Sequence, residues 1–441
     1  MIYSEIKKSP RFRGLAALGL ALLILCLFAT GAMAEDEPKG LMDVNLSAKP
    51  TPLAGDVEKG LGHLFKVLED QSVPLDVAAI APMLNFVANV DADPKDIEPA
   101  KRFGGRGICL RRDVTTDLTR ILQYFYNPDI PNYLLCPAVL RMSGWQPGSE
   151  FLNRPTGLWE ELPNLNEPVV VRGREFEVTT PDSFAEAYYG YYLDRLIILV
   201  KYQGRNVLIS VSQQDGKSDV GRKGAILDDK RWDYFYSGLE GLNRGMIGWM
   251  DTFTYAAGSV QVFVEQDADA PRSTVFLFKW LKAGWAGMNV VQRSHIYDGT
   301  LRYVRSFAKV VESKDITPEF LAAGLKDVLN LPKDRMDALI AEYARNFEAR
   351  FKDDPKLQDS DYAKVIRDGG YAKVLDDKAR RSVLALEKLK SMLGMETLVT
   401  LGDQAPKPVA QAPQDGAEPA SAEAAAPSAV EVAQHEAQPG S

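Results

Sequence analysis

The chain has 441 residues, 46% of them hydrophobic, which is ample material for a buried core and excludes a wholly disordered protein. A formal charge of −8 argues against nucleic acid as a general partner, because phosphate binding needs a positive face. With only three histidines, a histidine-rich zinc site is not expected, and no motif for a metal or cofactor is present.

The amino terminus reads as a secretory signal over residues 1–34. Lys7, Lys8, Arg11 and Arg13 precede the apolar run Leu15–Ala29, and Ala32 and Ala34 stand where a signal peptidase reads small residues. Cleavage between Ala34 and Glu35 is expected, with retention as a membrane anchor as the alternative, since residues 14–34 carry no charge and could span a bilayer. Cleavage would remove four basic residues and one acidic one, leaving the mature chain more acidic. Export places the protein in the periplasm or cell envelope, with membrane contact only through an uncleaved signal. There Cys109 and Cys136 become candidates for a disulfide.

Residues 35–54 read as a polar linker. In the region 55–165, expected to be mainly helical, Asp56–Glu69 places Leu61, Leu64, Phe65 and Leu68 on one helical face. Helical stretches over 73–90 and 116–126 follow, with Phe103–Gly107 as a flexible turn between them.

Residues 166–298 change character and predict an antiparallel β-meander. Gly173 is flanked by two short β-rich runs that read as a hairpin, and 184–192 as a helix laid on the sheet. Leu196–Tyr202 and Asn206–Ser212 are strands about the turn Gln203-Gly204. Further strands fall over 232–236 and 249–255, and 259–266 and 273–279 alternate around a turn at 267–271.

Helices return over 299–400: one over 300–311, one opened by Thr317-Pro318 as cap and first turn, and two more over 334–351 and 378–393. The segments beginning at Tyr362 and Tyr371 (YAKVIRD and YAKVLDD) echo one another. From 401 to 441 the chain is Ala-, Pro- and Glu-rich, a composition expected to be disordered. The fold class expected is therefore α+β, a central antiparallel meander between helical regions.

Candidate chemistry is sparse. His295, in Ser294-His295-Ile296-Tyr297-Asp298, could serve a hydrolase with a distant serine such as Ser210 or Ser212, but no nucleophile elbow accompanies it. The favoured reading makes it a structural histidine, with Asp298 capping the next helix. Asp215-Gly216-Lys217-Ser218 is not a P-loop, since Val211 stands where its first glycine belongs. It reads as a mobile loop running to Gly224, with Lys217 and Arg222 available for contacts. Asp91/Asp93 and Asp267/Asp269 lack the ligand number of a calcium loop and read as turns. Tyr188, Tyr192, Trp232, Tyr234 and Trp249 gather on the proposed sheet, where they serve either as core or as a surface for a glycan, lipid or envelope protein. The composite expectation is an exported, non-catalytic binding or accessory protein. The alternatives are an envelope hydrolase using His295 and an assembly partner docking through its C-terminal helices.

Overall fold

The computed structural model describes residues 44–243, 249–266 and 271–401. The signal segment, the Ala34/Glu35 junction, the turn at 267–270 and the tail from 402 lie outside them. Residues of the linker enter the fold: β1 (Thr51–Pro52) pairs in parallel with β2 (Ile97–Glu98). Between them run α1 (Gly55–Glu69) and α2 (Val77–Asn89). The stripe Leu61, Leu64, Phe65 and Leu68 is buried. Each such side chain removed from water contributes roughly 1.5–3 kcal/mol. Asp76 caps α2 by accepting from the Ala78 N–H, and its own N–H donates to His63 Nε2 at 2.9 Å, which gives His63 a structural place in the turn.

The centre of the molecule is a seven-stranded antiparallel sheet. Its strands are β3 (Arg106–Val114), β4 (Leu140–Trp145), β5 (Val169–Thr179), β7 (Gly190–Tyr202), β8 (Arg205–Asp215), β13 (Phe253–Glu265) and β14 (Ser273–Gly284). A short helix, α3 (Leu118–Phe125), separates β3 from β4. Spatial order is β4-β5-β7-β8-β13-β14-β3, a meander closed at its far edge by the earliest strand. The Gln203-Gly204 turn places both residues at positive φ, 50° and 79°, the primed geometry whose twist suits a two-residue hairpin. Between β8 and β13 the chain leaves to form β9 (Arg222–Asp228) and β10 (Asp233–Glu240), joined by β6 (Ala187–Tyr188) in a smaller sheet. The pair β11 (Leu242–Asn243) and β12 (Trp249–Met250) completes the excursion.

Strand alternation gives the large sheet two unlike faces. One buries Leu196, Ile198, Ile209, Val260, Val262 and Phe278 beneath α1 and α2, with Arg172 at its edge donating to the Val67 and Leu68 carbonyls of α1. The other buries Ile197, Leu199, Leu208, Phe263 and Leu277 beneath α3 and α4 (Arg293–Val311). The second face also carries a polar row in register, Arg195↔Ser212↔Ser259↔Lys279 across four strands.

The C-terminal helices are α5 (Pro318–Leu329), α6 (Lys333–Arg350), α7 (Ser360–Arg367) and α8 (Asp377–Met392). Thr317 caps α5 by accepting from the Phe320 N–H at 3.1 Å. The tyrosine echo has a packing role. Tyr362 donates to the Gly224 carbonyl at 2.8 Å and Tyr371 to that of Tyr234 at 3.1 Å, and both rings lie against Phe235 of β10. Among the described residues no helix is long and apolar enough to cross a membrane.

Several expectations are corrected. The region 55–165 holds α1, α2 and α3 and also contributes strands β3 and β4 to the sheet, which was not expected of it. Residues 169–179 are one continuous strand, because Gly173 serves not a turn but the approach of Trp145: a Cβ there would come within 2.9 Å of that ring. Residues 184–192 form no helix: a turn at 183–185 leads into the strands Ala187–Tyr188 and Gly190–Tyr202. Glu186 sits at φ 52°, and Tyr189 exchanges hydrogen bonds with Thr179, so pairing with β5 overrides local helical tendency. Cys109 and Cys136 are both free and buried, one in the core of each sheet face, so the sheet itself lies between them. Asp298 caps nothing: α4 already begins at Arg293, with Gln292 and His295 forming its capping box. The loop after Asp215 is stitched rather than loose, since the N–H groups of Ser218, Asp219 and Gly221 donate to Thr254, Gly190 and Thr252 carbonyls.

Candidate functional site

The polar-row face does not close fully against α4. A cavity of about 250 Å³ lies between the sheet, the first half of α4 and the segments 180–185 and 284–291. Its cause is side-chain size. Where the apolar part of this face presents Phe263 and Ile197, the cavity floor presents Ser212, Ala257, Ser259 and Ala283, and the helix above presents Gly299. A Cβ built on Gly299 would meet no atom within 4 Å. The gap is thus written into the sequence as small residues at inward positions.

Charge collects on the inner side. Arg195, buried on β7, bonds Glu175 at 2.9 Å and Glu177 at 3.3 Å, and donates to Ser210 Oγ at 3.2 Å. Glu175 is fully buried and accepts from Asn132 Nδ2 at 2.8 Å. Burial pushes its carboxyl up to about 7, with Arg195 opposing the rise and Glu177 adding to it. Tyr191 has its hydroxyl pushed well above the usual tyrosine range, first by burial and then by neighbouring Glu177. Arg195 thus pairs with Glu177 and with a Glu175 carboxyl that keeps its proton up to about pH 7, while its own Nε is buried without a hydrogen-bond partner.

Lys279 is placed differently. It is half-buried in the cavity, and among the described residues it has neither a carboxylate within 4.0 Å nor a hydrogen-bond acceptor. Burial holds its ammonium below the ordinary lysine value; Glu177 opposes this and Arg195 reinforces it. An ammonium half-removed from water without an ion-pair partner is electrostatically incomplete.

Another part of the wall is apolar. Leu281, Trp285, Val290, Val291 and Ile296 line it, and Phe184 stands at the mouth, 38% exposed. In the same outer segment Met288 is 51% exposed. This segment turns at Ala286 and Gly287, both at positive φ, and is tied back by the Gly287 N–H donating to Tyr255 Oη at 2.7 Å.

The sequence candidates fall variously about this site. His295 lines the mouth with its ring stacked on Phe184 at 4.0 Å, and its Nδ1 accepts from the Gln292 N–H at 3.3 Å. In a serine hydrolase that nitrogen carries a proton and donates to a carboxylate, so the capping bond gives His295 the opposite polarity. Asp298 accepts from Ser183 Oγ at 2.8 Å. Ser210 is taken by Arg195, while Ser212 shares a 2.7 Å bond with Ser259 on the cavity floor. Tyr188, Trp232 and Tyr234 are buried in the core away from the cavity. Tyr192 is exposed beneath the Arg174 guanidinium, 5.3 Å from its ring centre. Lys217 sits over Phe253 at 4.0 Å, and Arg222 pairs with Glu240 at 3.1 Å. Trp249 falls in β12, and its side chain lies outside what the structure describes. Asp93 accepts from the Tyr297 hydroxyl and the Arg111 N–H, which ties α4 to the chain before β3.

Sequence reasoning missed Lys279, Arg195 and Glu177. The available signal was a charged residue at an inward position of an otherwise apolar strand, as in Leu277-Lys279-Leu281 and Leu193-Arg195-Ile197. Among the described residues no group of three or more His, Cys, Asp or Glu side chains could hold a metal ion. Compared with known proteins, the chain matches no family model, no curated protein and no solved structure.

Proposed function

We propose that the chain is an exported, non-catalytic binding protein whose cavity holds one small, partly apolar molecule. The observation that carries this reading is the cavity itself: an apolar wall with a few convergent polar groups, held between a sheet and a helix. Its volume is slightly below the range of drug-sized sites, which suits a small ligand. The amino-terminal pattern of positive residues, apolar run and Ala-x-Ala supports export to the periplasm or envelope. The capping bond at His295 Nδ1 weighs against the hydrolase alternative. The apolar faces of the C-terminal helices are spent on the protein's own core, which leaves their polar faces for any partner.

Filling the cavity tests the reading. Gly299→Phe adds a ring where the backbone leaves open space, and removing a mid-helix glycine favours the helix. A fluorescent apolar probe should bind the native protein with a blue-shifted emission, and the variant should lose that signal while keeping its circular dichroism. Equal probe signals from both proteins, or none from the native one, would overturn the assignment. Export is checked separately by sequencing the mature amino terminus, with a start at Glu35 expected.

A further inference from the structure

We infer that the cavity takes an amphipathic acid, its single negative charge paired with Lys279 and its apolar body lying toward Trp285 and the mouth. This rests on the reading of the cavity as a binding site and adds the chemical class of the occupant. Three observations lead to it.

The first is charge count. Of the two cations lining the cavity floor, Arg195 already faces Glu175 and Glu177, whereas Lys279 has no carboxylate within 4.0 Å among the described residues. Below about pH 7, where Glu175 keeps its proton, Arg195, Lys279 and Glu177 carry one net positive charge, so a monoanion such as a carboxylate fits better than a dianionic phosphate. The second is the position of the ammonium. It projects from β14 between Leu277 and Leu281, in register with Ser259, which in turn stands opposite Ser212. Those two hydroxyls are bonded to one another and line the same floor, so an anionic head at Lys279 would have polar neighbours along the row. The third is polarity along the cavity. Leu281, Val290, Ile296 and Trp285 line the same cavity and match a hydrocarbon body, beside Asp182, His295 and Arg302. A charged head at one end and an apolar body at the other define an amphiphile, and the sign at Lys279 makes it an acid.

The test is calorimetric titration of the mature protein with octanoate and with 1-octanol, its neutral counterpart, repeated on Lys279→Met and Gly299→Phe. Octanoate should bind the native protein at least about tenfold more tightly than octanol, a difference of about 1.4 kcal/mol. Lys279→Met should remove that preference while still binding octanol, and Lys279→Arg should restore part of it. If native protein binds both equally, or Lys279→Met leaves octanoate affinity unchanged, the acid assignment falls while the cavity remains a binding site. If neither compound binds the native protein, or both bind Gly299→Phe undiminished, the cavity reading itself fails and the acid assignment goes with it.

Discussion

At the scale of single residues, the inner end of the cavity is governed by which charges have partners. Glu175 is surrounded by protein on every side, so its carboxyl holds a proton up to about pH 7. An exposed glutamate releases its proton near 4.3. Between those values the folded state binds the additional proton, and stability from this group falls as pH rises through the window. Replacing Glu175 with Gln should flatten the dependence of the unfolding midpoint between about pH 5 and 7. Parallel pH profiles for the two proteins would contradict the burial argument. Gly299 is the second informative residue. Its interior helix position has open space for a methyl group, so Gly299→Ala should stabilise by roughly 1 kcal/mol in urea unfolding. A loss of stability would mean that the helix there is under constraint.

At the scale of elements, alternation and pairing decide the outcome. Strands β7 and β8 were legible as β-rich runs about the Gln203-Gly204 turn, and β13 and β14 as alternating runs about the turn at 267–271. The segment before them was misread because its tyrosine-rich stretch has no such signature by itself. Thr179, contributed by β5, supplies the bonds that extend it. The same alternation explains the cysteines. Cys109 lies on the face covered by α1 and α2, and Cys136 belongs to the core on the opposite face. Burial pushes both thiols well above their ordinary value. In a chain beginning at Glu35, a thiol reagent should find almost no reactive cysteine in the native protein and two after denaturation without reductant. A denatured protein that needs reductant to show them would restore the disulfide.

At the scale of the whole molecule, the C-terminal helices are joined to the rest by buried charge as well as by rings. Lys390 of α8 bonds Asp233 at 2.7 Å and Glu387 at 2.8 Å, with all three side chains almost fully buried. Glu387 also accepts from the Leu398 N–H, which fixes the end of the described chain. Lys390→Met would leave the buried Glu387 without its cation, while Asp233 keeps Arg231 at 3.4 Å and Arg350 at 3.9 Å, and should cost about 3–5 kcal/mol in equilibrium unfolding. A cost below about 1 kcal/mol would show that water reaches the site. The sheet and the C-terminal helices also share one apolar cluster, from Leu46 to Val399.

The amino-acid sequence by itself determined what is local: the helix stripe of α1, the cap at Thr317, the Gln203-Gly204 turn and the antiparallel meander. Each depends on residues a few positions apart, whose preferences act before any distant contact forms. Only the tertiary structure decided that β3 pairs with β14, that a sheet separates the two cysteines, and that Lys279, Arg195 and Glu177 meet beneath Gly299. Those outcomes depend on which faces pack together. A charged residue in a strand becomes a cavity floor only when the element above it is too small to fill the space.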